Sequence, residues 1–150
     1  MKSLQDKAYA YKVGLTMRKS SYPSVPIMSF MDAANYIKQF YSKDINLYES
    51  AFILLLNKQN HTIGYAKISQ GGISGTVVDV AIVAKYCIDS LASGCIFAHN
   101  HPSGNLEAST ADEAVTKRLQ EVLKMFDCSL HDSIILTEQG ARSIIHSTTI

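Results

Sequence analysis

Hydrophobic and polar positions along the first half of the chain follow helical and then strand periods. After Ser29, apolar residues recur every three to four positions, which predicts an amphipathic helix to about Tyr41. The continuous apolar run over residues 51–56 predicts a strand that is buried on both faces. Polar residues 57–60 predict a hairpin turn, and residues 61–69 are expected to form the partner strand.

The second half of the chain predicts two more helices, each followed by a strand. A helix is expected over residues 79–91, followed by a short apolar strand over 94–99. A third helix is expected to begin after Ser109, and a last strand over 133–137. This order of elements indicates a single α/β domain in which helices flank a small mixed β-sheet. The residues expected on the apolar helix faces are Ile82, Tyr86 and Leu91 in the second helix and Val115, Leu119, Val122 and Phe126 in the third.

Two stretches lie outside this pattern. Residues 1–27 show no sustained periodicity and end with two prolines in four positions, so we expect a lead-in segment that lies over a domain formed by residues 28–150. The glycine-rich residues 71–75 predict a flexible loop. Because this loop lacks a Gly-Lys-Ser/Thr ending, it does not predict a phosphate-binding P-loop.

Composition limits the class of protein. The 150 residues are 47% hydrophobic and 18% charged, which suits one compact domain and excludes a disordered or acidic solvating segment. The longest apolar run has six residues, far fewer than the ~20 of a membrane helix, and no apolar stretch follows the first methionine as in a secretory signal. Cys87, Cys95 and Cys128 contain no Cys-x-x-Cys pair and are read as small core residues. The sequence therefore predicts a soluble cytoplasmic domain without membrane contact.

The distribution of charge says less about partners. The net charge of +1 does not support nucleic-acid binding by the whole chain. Residues 1–27 carry five basic residues and one acidic residue, a net of +4, whereas residues 107–138 carry three basic and seven acidic residues, a net of −4. The basic N-terminal stretch is read as a solvated lead-in, and contact with DNA phosphates is the alternative.

The residues with the strongest chemical signal are His99, His101 and Asp112. Two histidines two positions apart at the end of a strand point to the same side, because strand side chains alternate between faces. Their Cα atoms are expected about 6.6 Å apart, so both imidazoles can reach one metal ion at about 2.0–2.1 Å. The third predicted helix presents Asp112 in its first turn. Two histidines and one carboxylate, with a fourth position left to water, are typical of a catalytic zinc site.

Such a site also needs a base and a hydrogen-bond donor. Glu49 is the candidate base, because it stands just before a buried strand and can reach across the end of the sheet. Ser109 is the candidate donor to a developing oxyanion. Each residue also has a plain structural reading, since Ser109-x-x-Asp112 matches a helix capping box and single histidines are common in loops. The joint spacing favours the catalytic interpretation.

Together, Glu49, His99-x-His101 and Ser109-x-x-Asp112 resemble the JAMM motif of the JAB/MPN metallohydrolase superfamily. Within that superfamily, the sequence Ala-His-Asn-His-Pro-Ser-Gly over residues 98–104 is similar to the RadC family, which is associated with DNA repair. The similarity covers roughly residues 30 to 140. The resemblance implies a JAB/MPN-like fold with cytidine-deaminase-like layering and one Zn²⁺ per chain, held by His99, His101 and Asp112.

The resemblance also implies a reaction. In the superfamily this apparatus hydrolyses amide or isopeptide bonds, with Glu49 in the position of the general acid/base and Ser109 in that of the oxyanion-side hydroxyl. A metallopeptidase or isopeptidase with a protein or peptide substrate is therefore the first hypothesis. A catalytically silent interaction module in DNA repair or mobile-element biology is the second, and a zinc-dependent phosphodiester hydrolase is the third.

Two differences from the family pattern bear on these hypotheses. Residues 80–82 read Val-Ala-Ile where RadC relatives usually have Pro-Arg-Glu, which is the reason to retain the silent module. Residues 1–45 contain a single glycine, Gly14, too few for the hairpin turns of a helix-hairpin-helix DNA-binding module. Autonomous DNA binding is therefore not expected, and no oligomeric state is predicted.

Overall fold

The computed structural model describes residues 8–41, 43–71 and 77–150. Residues 1–7 of the predicted lead-in and most of the predicted glycine-rich loop lie outside the described residues. Among the helices of the described ranges, none combines the length and apolar character needed to cross a bilayer. The elements are, in chain order, α1 (Phe30–Lys38), β1 (Ser50–Leu56), β2 (Thr62–Gln70), α2 (Val80–Asp89), β3 (Gly94–Asn100), α3 (Thr110–Lys124), β4 (Ser129–Leu136) and β5 (Ala141–Ser143).

The strands form one mixed sheet in the order β2-β1-β3-β4-β5. β1 is antiparallel to both β2 and β3, whereas β3 and β4 are parallel and β5 is antiparallel to β4. A parallel pair needs a crossover connection, and α3 supplies it between β3 and β4. The predicted single α/β domain, with helices flanking a mixed sheet, is confirmed.

Both faces of the central strands are covered. Ile53 of β1 belongs to a buried cluster that includes Leu119 of α3, whereas the adjacent Leu54 belongs to a second buried cluster with Ile37 of α1. Successive residues of β1 thus enter cores on opposite sides of the sheet, because strand side chains alternate. This explains the continuous apolar run over residues 51–56, and the predicted burial on both faces is confirmed.

The predicted apolar face of α2 is wrong. Ile82, Tyr86 and Leu91 are exposed, and the helix instead buries Val80, Val83, Ala84 and Cys87. Apolar residues occur all round this helix, so periodicity alone does not select one face. Small side chains face the sheet and α3, where close packing favours them.

Strand β5 was not predicted. Its sequence, Ala-Arg-Ser, is too short to show alternation, and it forms because the chain after residue 140 turns back along the end of β4. β4 itself begins at Ser129, four residues before the predicted start. The exposed Phe126, which was expected on the apolar face of the third helix, lies just beyond α3.

The end of the predicted lead-in joins the edge of the sheet. Pro26 forms an isolated β-bridge with His61, and the Ile27 N–H donates to the Asn60 carbonyl oxygen at 2.9 Å. The Ser24 hydroxyl donates to the Thr62 carbonyl oxygen at 2.6 Å. These bonds continue the sheet beyond the start of β2. The boundary between a lead-in and a domain at residue 28 stays a prediction.

Candidate metal centre

The candidate site lies where β1 begins and β3 ends. Because the two strands are antiparallel, Ala51 pairs with His99, and this register brings Glu49 to the end of β3. His101 follows β3 directly. The next turn is closed by Gly104, whose φ of +83° lies in the left-handed region and whose N–H donates to the His101 carbonyl oxygen at 3.0 Å. The chain then enters α3, which carries Asp112 in its first turn.

Four predicted side chains meet at this point. Glu49, His99, His101 and Asp112 each present one atom able to bind a metal, and these atoms lie within 4.8 Å of one another. The two histidine Nε2 atoms are 3.1 Å apart. Asp112 reaches both rings, with Oδ1 3.1 Å from His99 Nε2 and Oδ2 3.2 Å from His101 Nε2. Glu49 Oε1 lies further out, 3.9 Å from His99 Nε2.

The donor set fits a zinc ion. Ligand atoms at about 2.0–2.1 Å from a tetrahedral zinc lie about 3.3 Å from one another. The two Nε2 atoms are 3.1 Å apart, close to that value, and each has an oxygen of Asp112 at a similar distance, Oδ1 at 3.1 Å from His99 and Oδ2 at 3.2 Å from His101. The Nδ1 atom of His101 lies 2.7 Å from the Asn105 carbonyl oxygen, which can only accept a hydrogen bond. Nδ1 therefore carries a proton, and Nε2 is the nitrogen that can bind a metal once its own proton has left.

The electrostatics of the site favour an ionised Asp112. Burial opposes ionisation, but hydrogen bonds from His101 and His99 outweigh it and hold the pKa of the Asp112 carboxyl well below its usual range. The same hydrogen bond to Asp112 raises the pKa of His101. Asp112 is therefore ionised at neutral pH, and its negative charge suits a cation.

Ser109 caps helix α3. Its hydroxyl accepts a hydrogen bond from the Asp112 N–H at 3.0 Å, and its own N–H donates to Asp112 Oδ2 at 2.9 Å. The capping-box interpretation is therefore confirmed. This box also orients the carboxylate that faces the two histidines. Accepting one bond leaves the Ser109 O–H free to donate, and the predicted role toward an oxyanion stays a prediction.

Asn100 is an anchor of the site that sequence reasoning missed. It is fully buried, and its side-chain Oδ1 accepts from the Ser50 N–H at 2.7 Å. Its side-chain amide donates to the carbonyl oxygens of Ile45, at 2.6 Å, and Tyr48, at 2.7 Å. These bonds tie the segment that carries Glu49 to β3. Strand alternation is the sequence signal that points to Asn100. A residue between two histidines that share one face points to the opposite face, where a buried side-chain amide needs hydrogen-bond partners.

Tyr41 is a second anchor of the same segment. Its hydroxyl donates to the Ser50 carbonyl oxygen at 2.7 Å. Burial, followed by the negative charges of Glu49 and Asp44, raises the pKa of Tyr41. The phenol therefore stays protonated and keeps donating at neutral pH.

The sheet, its flanking helices and this site define a domain of the JAB/MPN class. The family model described as the RadC-like JAB domain matches residues 27–149. The chain belongs to the RadC-like JAB domain family, and the resemblance that the motif indicated is confirmed.

Similar curated proteins come from several bacteria. The chain is 42% identical over 98 residues to a UPF0758 protein of Flavobacterium johnsoniae. It is 37% identical over 95 residues to a UPF0758 protein of Neisseria meningitidis and 37% identical over 93 residues to one of Porphyromonas gingivalis. These matches cover 62 to 65% of this chain but 41 to 43% of the relatives, so the chain spans less than half of their length.

Proposed function

We propose that this chain is a zinc-dependent hydrolase that cleaves a peptide or isopeptide bond. In this proposal His99, His101 and Asp112 hold the metal, Glu49 is the general acid/base and Ser109 is the oxyanion donor. The observation that supports it is the convergence of two imidazoles and two carboxylates from separate segments, with metal-binding atoms within 4.8 Å of one another.

The ligand residues prepare the site for a cation. When bound, zinc supplies a Lewis acid that lowers the pKa of a water molecule to about 7 and polarises a carbonyl group. Asp112 contributes the negative charge, and the hydrogen bond from its capping partner holds its carboxylate in place. The bond between His101 and the Asn105 carbonyl oxygen directs the ring so that Nε2 faces the other ligands.

Glu49 is suited to moving protons. Its Oε1 lies 3.9 Å from His99 Nε2, close to the ligand set without hydrogen-bond contact to it, and its side chain is 21% exposed. A carboxylate in that position can take a proton from a water molecule and later donate it to the leaving nitrogen. An amine leaves an amide only after protonation, so this second transfer is needed for peptide and isopeptide cleavage.

Ser109 is suited to stabilising charge on the substrate. Its hydroxyl is exposed and still has a proton to donate. Donation to a carbonyl oxygen that becomes negative would favour the transition state over the bound substrate. We also propose DNA repair as the biological setting of this activity.

Metal analysis is the first test of the site. Zinc content would be measured in the purified full chain without added metal, beside His101→Ala and Asp112→Asn. His61→Ala is the matched control, because His61 lies on the sheet edge away from the four-residue group. We expect about one zinc per chain in the native protein and the control, and loss of zinc in the two ligand variants. No zinc in a folded native protein that has been offered zinc would overturn the proposal.

Glu49→Gln separates catalysis from metal binding. A library of quenched peptides and lysine-linked isopeptides would be tested for cleavage by the native protein and by this variant. We expect the variant to retain zinc and lose cleavage by at least a hundredfold, in the range typical of acid–base catalysis. Equal cleavage by both proteins would refute the role of Glu49. Cleavage of a phosphodiester probe alone would favour the nuclease alternative, and zinc binding without cleavage of any probe would favour the silent module.

A further inference from the structure

Three cysteines that the sequence pattern does not link meet inside the fold. Cys87 lies near the end of α2, Cys95 near the start of β3 and Cys128 between α3 and β4. Their Sγ atoms lie within 4.8 Å of one another. Each residue is at most 3% exposed. The prediction that the cysteines are buried is confirmed, but their meeting at one point was not expected.

This cysteine cluster is separate from the candidate zinc site. Cys95 and His99 stand on the same face of β3, four residues and therefore about 13 Å apart. The side chain of Phe97 lies between them, with its ring centroid 6.0 Å from that of His99. The two groups thus occupy opposite ends of one strand, and neither can share an ion with the other.

The cluster offers three soft sulfur ligands. Within the described ranges, no histidine or carboxylate belongs to the group that the three sulfurs form. The buried residues of the surrounding core are aliphatic and aromatic. Structural zinc is almost always held by four protein ligands, whereas thiolates also select Cu(I), an ion that readily accepts three sulfurs in a plane.

The spacing suits an ion at the centre of the three sulfurs. Sulfurs about 2.3 Å from one ion in a trigonal arrangement lie about 4.0 Å from one another. Since the separations here do not exceed 4.8 Å, binding needs a contraction of at most about 0.8 Å. We infer that Cys87, Cys95 and Cys128 form a second metal site, which binds one Cu(I) ion through three sulfurs.

Cys128 directly follows a turn at the surface. Met125 and Phe126 are exposed, and Asp127 adopts a left-handed φ of +55° that directs the chain inward at the next residue. Cys128 therefore lies directly beneath a surface turn. An ion held by the three sulfurs would join α2, β3 and the turn that follows α3.

Copper titration of the full chain tests the inference. Reduced, metal-free protein would be titrated anaerobically with Cu(I) against a coloured Cu(I) chelator, and the near-ultraviolet sulfur-to-copper charge-transfer band would be recorded. The chain contains three cysteines, and the candidate zinc site contains no sulfur, so this band reports the cysteine cluster alone. We expect saturation at one equivalent in the native protein and in His101→Ala, which lacks the zinc site.

Cysteine variants, a Co²⁺ spectrum and a count of free thiols complete the test. Cys128→Ser, close to the surface, and Cys95→Ala should lower the Cu(I) affinity at least tenfold while circular dichroism shows the native fold. The absence of a saturable band in the native protein, or an unchanged band in folded Cys128→Ser, would overturn the inference. A tetrahedral spectrum with Co²⁺ at this site would overturn the assignment to Cu(I). If fewer than three free thiols were counted after unfolding, two of the cysteines would be joined in a disulfide, and the metal site would be refuted.

Discussion

Removal of the Asn100 side chain should loosen the segment that carries the proposed base. In Asn100→Ala, the Ser50 N–H and the carbonyl oxygens of Ile45 and Tyr48 lose their partner. Ser50 and Ile45 are at most 9% exposed, so water cannot readily replace the amide there, whereas Tyr48 is 42% exposed and its carbonyl can be hydrated. The free energy of unfolding should therefore fall mainly because two buried backbone groups become unsatisfied.

The magnitude follows from those two groups. A buried donor or acceptor left without a partner costs about 1–3 kcal/mol. Two such groups, partly relieved by movement of the segment, give an expected loss of about 3 kcal/mol. The matched control is Asn35→Ala, since Asn35 is exposed on α1 and its replacement should change stability by less than about 0.5 kcal/mol.

Urea unfolding in the presence of a chelator measures the stability of the polypeptide without any contribution from metal. Hydrogen exchange of the Ser50 amide gives the local readout, because this N–H donates directly to Asn100. Exchange should become faster in Asn100→Ala and stay unchanged in Asn35→Ala. A stability loss below about 1 kcal/mol, together with unchanged Ser50 protection, would refute the anchoring role of Asn100.

Three further predictions concern stability. In urea unfolding, Ser109→Ala should destabilise the protein by about 1 kcal/mol and Ser109→Gly by only a few tenths of a kcal/mol, because glycine is a tolerable helix cap. Equal losses in the two variants would contradict the capping argument. Gly140→Ala places a Cβ 2.6 Å from the Ile150 carbonyl oxygen and should cost about 1–3 kcal/mol, whereas Gly14→Ala, with no atom within 4 Å, should have no effect on thermal unfolding. Burial raises the pKa of Asp132, so the folded state binds its proton more tightly than the unfolded chain does. The stability of the native protein relative to Asp132→Asn should then fall as the pH rises from 3.8 through the raised pKa, and parallel pH profiles would exclude this effect.

Much of the fold and the site was readable from local sequence. The run over residues 51–56 predicted a doubly buried strand because it contains no polar position for a solvent-facing side. The spacing His99-x-His101 predicted two rings on one side of a strand end, and Asp112 followed at the start of a helix with its own capping signal. These predictions succeed because an unbroken apolar run, a helix cap and the spacing of two histidines are properties of neighbouring residues.

Other features were decided by tertiary contacts. The buried face of α2 depends on which of several apolar sides fits against the sheet, and β5 exists because β4 offers a free edge to pair with. The three bonds of Asn100 and the meeting of Cys87, Cys95 and Cys128 join residues far apart in the chain. The sequence by itself therefore determined most of the elements, the family and the side chains of the candidate site. Only the tertiary structure decided which distant side chains share one space, because that depends on strand order and register, which no local pattern encodes.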